Sequence, residues 1–550
     1  MFQQTLSPAG NLWLTVLIAM IPFAALLYML AALRLTAWLA TILGGIVTIL
    51  LGVFVWHAPL VNTLKSYFYG GLTGFWAIDW ITFWGLIIFN TLVLTGRFDR
   101  FKQWMIHHAT ADIRIQTIML AWAFGALLEG LVGFGYPWAV VVPILVGLGI
   151  ADLDAIRVAA LANNAPVSYG ALGAPILGLA AVTGLPMMAL SASVGSIVAI
   201  LALLPPWVLI YLVSGWEGML EAWPLAIVGS LSYIAGQWPV ARYLGPYLPD
   251  LSGALVSFWI LFLFVKVWHP KTIRGFGGVV MATAANSPAL APAKNSPVPN
   301  PSETHIELGS PAQALSVWFP YLVLIAVVVS WTGPWSHLPA VSWFRWAVTA
   351  NSSVTQRPAP SVFNFTPFAG GTSILASWLV LLLILRPPFQ LVGQVFRKTF
   401  KQMWGALLVA FFIFALAYIF VFTGMANSLA YGLSKIGVFF VVLAPILGWI
   451  GVALSGSNTA TNAMFGPVQA LTGRLLNLPV LLLPSFNSVG AEVGKPIAPQ
   501  TASVGVSTSR LVRSEGQVIR HNLGWTLAML AYLVLISAVF YFFLSKWMSL

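Results

Sequence analysis

Long uncharged apolar stretches, separated by short polar segments, dominate the pattern of this 550-residue chain. A helix needs about 20 consecutive apolar residues to cross the hydrocarbon core of a bilayer, and many of the stretches reach that length. They predict about 12 to 14 membrane-spanning helices together with shorter re-entrant pieces. The stretches cover residues 11–33, 36–56, 80–96, 115–128, 137–151, 158–216 (more than one helix), 222–241, 251–265, 314–336, 367–385, 403–434, 436–473, 475–491 and 521–545.

The composition identifies lipid as the solvent around most of the chain. Hydrophobic residues make up 59% of it and charged residues only 7%, whereas a soluble domain has about 25% charged residues. A membrane β-barrel would alternate apolar and polar residues, which these unbroken runs do not do. Because a helix satisfies its backbone hydrogen bonds within one segment, the predicted fold class is an all-α polytopic membrane protein.

Basic residues concentrate in four loops between the apolar stretches, within a chain of formal net charge +12. Cytoplasmic loops carry such an excess of Lys and Arg, so this charge indicates membrane topology rather than nucleic-acid binding. With these loops and Arg34 in the cytoplasm, both chain ends and the loop 336–368 are predicted on the opposite side. The run 11–33 is long enough for a retained span rather than a cleaved signal peptide. The basic clusters are Arg97, Arg100, Lys102 and Arg114; Lys266, Lys271 and Arg274; Arg386, Arg397, Lys398 and Lys401; and Arg510, Arg513 and Arg520.

A segment rich in Pro, Ala, Ser and Asn near the midpoint interrupts the apolar pattern. Residues 269–313 cannot bury enough apolar surface to fold, so their composition predicts a disordered linker. The linker would join a first membrane half, 1–268, to a second, 314–550.

Short sequence matches indicate that the two halves are repeats of each other. Three residues of the first half match three of the second at one constant shift along the chain. Repeated halves with interrupted helices are the sequence indicator of a transport site near the bilayer midplane. The matched residues are Asn163, Gly170 and Pro175 with Asn487, Gly494 and Pro499.

A glutamate stands beside a cluster of helix-breaking residues in the segment 128–143. Backbone freed at membrane depth is tolerated only where it is buried in protein or lines a cavity. Close helix packing through small residues is the alternative explanation. Glu129 favours the functional one, because an intramembrane carboxylate marks a path for ions, protons or substrate, although a paired structural glutamate stays an alternative. The helix-breaking residues are Gly130, Gly133, Gly135 and Pro137.

Two further segments place uncharged polar residues inside apolar runs. In the segment 162–175, Asn163 and Asn164 precede Pro166 and are predicted to end a half-helix. In the segment 454–467, a dense polar cluster predicts a hairpin tip that binds a carboxylate through N–H groups at a helix N-terminus. Hydrogen bonding between helices is the alternative role of that cluster. Its candidate ligands are Ser457, Asn458, Thr459 and Asn462.

The fourth interrupted segment, 486–509, adds two charged residues. Glu492 and Lys495 are three positions apart, so they can pair with each other on one helical face. Alternatively, Lys495 contacts a substrate anion, while Glu492 tunes the charge of Lys495 or carries a proton. With the residues of the other three segments, the candidate substrate-binding set is Gly130, Gly133, Gly135, Asn163, Asn164, Ser457, Asn458, Thr459, Asn462, Asn487, Lys495 and Gln500.

Motifs for enzymatic chemistry are absent from the sequence. It has no Walker-type nucleotide loop, no HExxH metal motif and no G-x-S-x-G elbow, and it contains no cysteine. We therefore expect no enzyme activity, no cofactor and no metal site. A membrane enzyme or scaffold is disfavoured further because the interruptions lie inside the apolar runs rather than at a membrane face.

At these interrupted segments the chain resembles the L-lactate permease family, whose members import lactate and glycolate with protons. The resemblance runs in matching order over nearly the whole chain. The family pattern EG-x-x-GFG-x-P corresponds to residues 129–137, N-[TN]-APV-x-[FY]-GALG-x-P to 163–175, the pattern from GW to FG to 448–466, and GK-x-I-[SA]-PQ to 494–500; YLGPYLPD at 243–250 also fits.

The resemblance implies a secondary transporter in the plasma membrane of a prokaryote, with two homologous halves and re-entrant hairpins. The related superfamily has inverted repeats, so an inverted relation between the halves is expected. The implied partners are a small organic anion, such as L-lactate or glycolate, and protons. The sequence leaves self-association into a homo-oligomer open.

Two departures from the family pattern bear on the ion that is coupled to transport. Asn458 stands where the family usually has Asp, and Tyr247 where it usually has Glu. The first departure leaves Glu129 as the leading candidate proton carrier, with Glu492 second. It also makes the tip read Ser457-Asn458-Thr459, which is similar to the signature of sodium-coupled dicarboxylate transporters. A sodium-coupled carboxylate symporter is therefore the alternative.

Overall fold

The protein, in a computed structural model that describes residues 1–101, 110–133, 135–283 and 311–549, is built mainly of helices. The helices before the midpoint are α1 (Leu12–Ala31), α2 (Ala37–Phe54), α3 (Leu60–Gly74), α4 (Trp80–Leu94), α5 (Ile113–Thr117), α6 (Phe124–Leu131), α7 (Tyr136–Gly147), α8 (Asp152–Ala162), α9 (Gly170–Thr183), α10 (Met187–Leu201), α11 (Pro205–Glu221), α12 (Trp223–Tyr243) and α13 (Pro249–Val267). Those after it are α14 (Pro311–Thr332), α15 (Gly370–Leu385), α16 (Phe389–Thr423), α17 (Met425–Ser434), α18 (Phe440–Ser455), α19 (Asn458–Leu475), α20 (Leu482–Gly494), α21 (Pro499–Ser507) and α22 (Glu515–Phe542). Two π-helical segments, Phe75–Asp79 and Ile118–Ala123, lead into α4 and α6.

Eight helical stretches of the described chain are long and apolar enough to cross a membrane. A ninth is obtained if the pair formed by α8 and the segment Val167–Thr183, bent by 65°, counts as one span. The all-α membrane fold is thus confirmed, with fewer full-length spans than the apolar pattern predicted. Glycines with positive φ account for part of the difference, because Gly424 (φ +95°) ends α16 and Gly456 (φ +73°) separates α18 from α19. A run of apolar residues indicates that lipid or protein surrounds it, but it does not show that the run forms one continuous helix.

The segments predicted as re-entrant hairpins are each two helices joined by a short turn. Between α6 and α7, Gly133 and Gly135 have φ values of +65° and +77°, a region that glycine adopts without strain. The Tyr136 N–H donates to the Gly133 carbonyl at 2.9 Å and closes the turn. Helix α19 packs against α9, so the second hairpin contacts the first half directly. The inverted relation between the halves stays a prediction.

A small sheet covers the face predicted to be external. The loop 336–368 contains strands Phe344–Asn351 and Pro358–Phe365, which pair in antiparallel register from Phe344 opposite Phe365 to Asn351 opposite Pro358. The N-terminal strand Phe2–Gln3 joins the first of these strands in parallel. The N-terminus and this loop therefore lie on one side of the protein, as the distribution of basic residues predicted.

Arg114 of the first basic cluster and Arg274 of the second are joined by ion pairs that share Glu221. Arg114 pairs with Asp112 at 2.7 Å and donates to the Thr272 carbonyl at 2.6 Å. Arg274 pairs with Glu221 at 2.7 Å. These contacts hold two loops, far apart in sequence, at one face.

The start of the predicted linker is structured. Strands Thr272–Arg274 and Val280–Thr283 form an antiparallel hairpin with an irregular register after Ile273. The ion pair between Arg274 and Glu221 fixes this hairpin to the end of α11. Residues 284–310 lie outside the described residues, so the disorder expected there stays a prediction.

Candidate substrate site

The interrupted helices converge on a cavity of about 500 Å³ between the two halves. Its wall includes the turn after α6, the first residues of α9, the turn before α19 and the segment after α20. Clefts of this volume are typical of small-molecule sites. The predicted site residues that line it are Glu129, Gly133, Ser457, Asn458, Thr459, Lys495 and Gln500.

One buried ion pair joins the two halves in the cavity wall. The Lys495 ammonium contacts Glu129 Oε1 at 2.7 Å, and the two residues are 5% and 2% exposed. The second oxygen of Glu129, Oε2, accepts a hydrogen bond from the Asn163 amide at 3.0 Å. Gly170 lies against the same carboxylate, and a Cβ there would sit 2.5 Å from Glu129 Oε1. The glutamate is therefore held by groups from two other segments, 162–175 and 486–509.

The prediction that Glu492 pairs with Lys495 is wrong. Helix α20 ends at Gly494, and Lys495 begins a 3₁₀ turn. The Lys495 ammonium contacts Glu129. Glu492 instead accepts a hydrogen bond from the Ser168 hydroxyl at 2.5 Å, while its Oε1 atom has no hydrogen-bond partner in the described residues.

The side of the cavity formed by the turn before α19 is uncharged, and it ends at the N-terminus of that helix. Ser457 caps α19 by accepting a hydrogen bond from the Ala460 N–H at 3.2 Å. The Asn458 amide donates to the Ser488 carbonyl at 3.1 Å, and its oxygen has no partner in the described residues. The first N–H groups of a helix carry partial positive charge, so this end of the cavity suits an anion.

Two predicted ligands hold helices together behind the cavity. The Asn487 amide donates to Asn462 Oδ1 at 3.0 Å, and the Asn462 amide donates to the Pro175 carbonyl at 3.1 Å. Both asparagines are fully buried and neither lines the cavity. Their contacts fit the alternative role of hydrogen bonds between helices.

The remaining predicted residues lie near the cavity without lining it. Gly130 packs against Asp250, because a Cβ on Gly130 would lie 2.8 Å from the Asp250 Cβ. Gly135 is the residue before α7. Asn163 contacts Glu129 rather than the cavity, and Asn164 is buried with both amide atoms unpartnered in the described residues.

Sequence analysis missed two buried acids. Asp79 lies in the π-helical segment before α4, lines the cavity and is 2% exposed, and its Oδ2 atom has no hydrogen-bond partner in the described residues. Asp250 accepts a hydrogen bond from the Tyr233 hydroxyl at 3.0 Å behind Gly130. The rule that singled out Glu129, a carboxylate beside apolar stretches, identifies both when it is applied at the ends of the predicted spans.

The family model described as L-lactate permease matches residues 15–546. The chain belongs to the L-lactate permease family. The glycolate permease of Escherichia coli (strain K12) is 34% identical over 539 residues, which are 94% of each chain. The L-lactate permease of the same strain is 31% identical over 541 residues, again 94% of each chain. MtrF of Neisseria gonorrhoeae is 14% identical, with a TM-score of 0.45 over 88% of this chain and 84% of the other.

Membership of this family settles the class of the protein. The bacterial relatives are permeases, which move solutes, and not enzymes. Together with the apolar helices, this makes the chain a multi-pass protein of the cytoplasmic membrane. In the part of the chain that the structure describes, no group of three or more His, Cys, Asp or Glu side chains could hold a metal ion.

Proposed function

We propose that this permease imports a small 2-hydroxymonocarboxylate, L-lactate or glycolate, together with protons. The ion pair between Glu129 and Lys495 carries the proposal, because it places a titratable acid and a cation in the wall of the cavity. The names of the relatives support the substrate class.

Competition for Lys495 would couple the proton to the anion. While Glu129 is ionised, its carboxylate is the ion-pair partner of the Lys495 ammonium, at a distance of 2.7 Å. Removing the negative charge from one member of a buried pair leaves the other charge uncompensated, which is unfavourable. Protonation of Glu129 therefore favours entry of a substrate carboxylate as the new partner of Lys495.

The uncharged side of the cavity would receive the rest of the substrate. The N–H groups at the start of α19, with Asn458 and Thr459, face the cavity and supply hydrogen bonds. The unpartnered oxygen of Asn458 can accept a hydrogen bond from the 2-hydroxyl group. In this scheme Asn163 is a positioning residue, because it holds Glu129 and does not line the cavity.

Uptake by purified protein in proteoliposomes tests this function. When the external pH is lower than the internal pH and sodium is absent, labelled L-lactate or glycolate should accumulate inside. Dissipating the proton gradient with a protonophore should release the accumulated label. Liposomes without protein are the control. Accumulation that follows a sodium gradient and ignores pH would instead establish the sodium-coupled alternative.

A further inference from the structure

A second cavity, which we call the vestibule, opens at the face that carries the N-terminal strand. It has a volume of about 900 Å³ and is bounded by the strand Pro358–Phe365, by the C-terminal part of α9 and by the second half of α19. Its floor includes Trp76 and Ala77, the residues directly before Ile78 and Asp79 of the central cavity. The vestibule therefore lies further along the same helices as the substrate site.

Closely packed side chains lie between the vestibule and the central cavity, and we call this contact the constriction. It lies at Gly178, where a Cβ would sit 2.9 Å from the Phe414 ring, 3.1 Å from the Thr459 methyl group and 3.7 Å from the end of Ile78. Ile78 and Thr459 line the central cavity, while residues 181–184 and Tyr418, one helical turn beyond, line the vestibule. In the proposed import, a solute from the predicted external face would reach this constriction through the vestibule.

All charged side chains that line the vestibule in the described residues are positive. They are Arg357, at the turn between the two external strands, and Arg474, in the last turn of α19. Both side chains are exposed. Lys and Arg are depleted outside the cytoplasm, so two arginines at one external cavity run against the usual bias. A guanidinium group binds a carboxylate through two parallel hydrogen bonds.

We propose that Arg357 and Arg474 form an anion-docking site, where a small carboxylate is collected before it passes the constriction at Gly178. The inference rests on the proposed import of a monocarboxylate. A cleft lined by one sign of charge raises the local concentration of the opposite ion and accelerates its association. The site therefore acts on entry from outside and does not act on binding from the cytoplasmic side.

The double variant Arg357→Gln/Arg474→Gln tests the site in vesicles of both orientations. The KM for uptake from the external face should rise about tenfold, with the maximal rate unchanged, because steering changes capture and not the later steps. The KM measured from the cytoplasmic face should stay at the wild-type value. Added salt should raise the external KM of wild type and leave that of the variant unchanged, because salt screens exposed charges.

Arg345→Gln is the matched control, since Arg345 is an exposed arginine of the same strand pair that does not line the vestibule. It should keep the wild-type KM. An unchanged external KM in the double variant, or an equal rise from both faces, would overturn the docking site. A wild type that fails to exchange lactate would instead refute the proposed function. If the double variant inserts poorly, Arg357→Gln and Arg474→Gln alone should each show part of the same one-sided change.

Discussion

The two hairpins that meet at the cavity have the same outline and different chemistry. In each, a glycine with positive φ follows the end of the first helix within two residues, and the second helix starts at the cavity. The first hairpin carries Glu129, whose charge is compensated by Lys495. The second presents Ser457 and Asn458, which are uncharged and hydrogen bonded within the second half.

This difference suggests a division of labour between the hairpins. In the proposed mechanism the charged hairpin would couple transport to protons, because Glu129 would exchange a proton and so change the partner of Lys495. The neutral hairpin offers hydrogen bonds that do not change with pH. Substitutions in the charged hairpin should therefore alter the coupling of transport to protons. Substitutions in the neutral hairpin should alter the affinity for the substrate and leave the coupling unchanged.

The largest effect is expected for Lys495→Met. It leaves Glu129 buried without its cation, which costs about 3 to 5 kcal/mol of stability, and it removes the proposed partner of the substrate carboxylate. Uptake should be lost, and the thermal unfolding temperature of the detergent-purified protein should fall. The double variant with Glu129→Gln should recover stability without recovering uptake. Lys435→Met, at an exposed lysine, is the control. Wild-type uptake in Lys495→Met would exclude this lysine from the site.

Glu129→Gln should have the next largest effect. The variant keeps the shape and part of the hydrogen bonding of the acid, but it cannot titrate. Accumulation of lactate driven by a pH gradient should be lost, whereas exchange of internal for external lactate, which needs no net proton movement, should continue. Both are measured with labelled lactate in proteoliposomes.

Glu492→Gln is the control for that variant, because Glu492 bonds to Ser168 and does not contact Lys495. It should still concentrate lactate. If Glu129→Gln concentrates lactate and Glu492→Gln does not, Glu492 is the proton carrier. If both variants concentrate it under a sodium gradient, protons are not the coupled ion.

The smallest effect is expected for Ser457→Ala in the neutral hairpin. Loss of the cap on α19 costs about 1 kcal/mol, and disorder of the first N–H groups should raise the KM for lactate severalfold. The dependence on the pH gradient should not change. Asn11→Ala is the matched control for Ser457→Ala, because Asn11 caps α1 by accepting hydrogen bonds from the N–H groups of Trp13 and Leu14, away from the cavity. It should lose similar stability and keep its KM; an equal rise in KM in both variants would contradict a role for the α19 N-terminus.

The sequence by itself determined the membrane environment, the helical class and several of the places where helices break. These follow from local chemistry, because apolar side chains require lipid or protein around them, and clusters of glycine and proline weaken a helix even though single prolines such as Pro22 and Pro239 lie inside helices here. Gly133 and the interrupted segment 454–467 were therefore recognisable without any contact information, as was the unusual position of Glu129.

The tertiary structure alone decided which groups face each other. Lys495 pairs with Glu129, 366 positions away in sequence, rather than with Glu492, three positions away. Glu129 comes from the other half of the chain, and a pattern of residue types carries no information about which distant segment packs against Lys495. The same reason explains why Asn462 and Asn487 lie behind the cavity while Asp79 lines it. Polar residues in adjacent turns become ligands or packing contacts according to which neighbouring helix covers them.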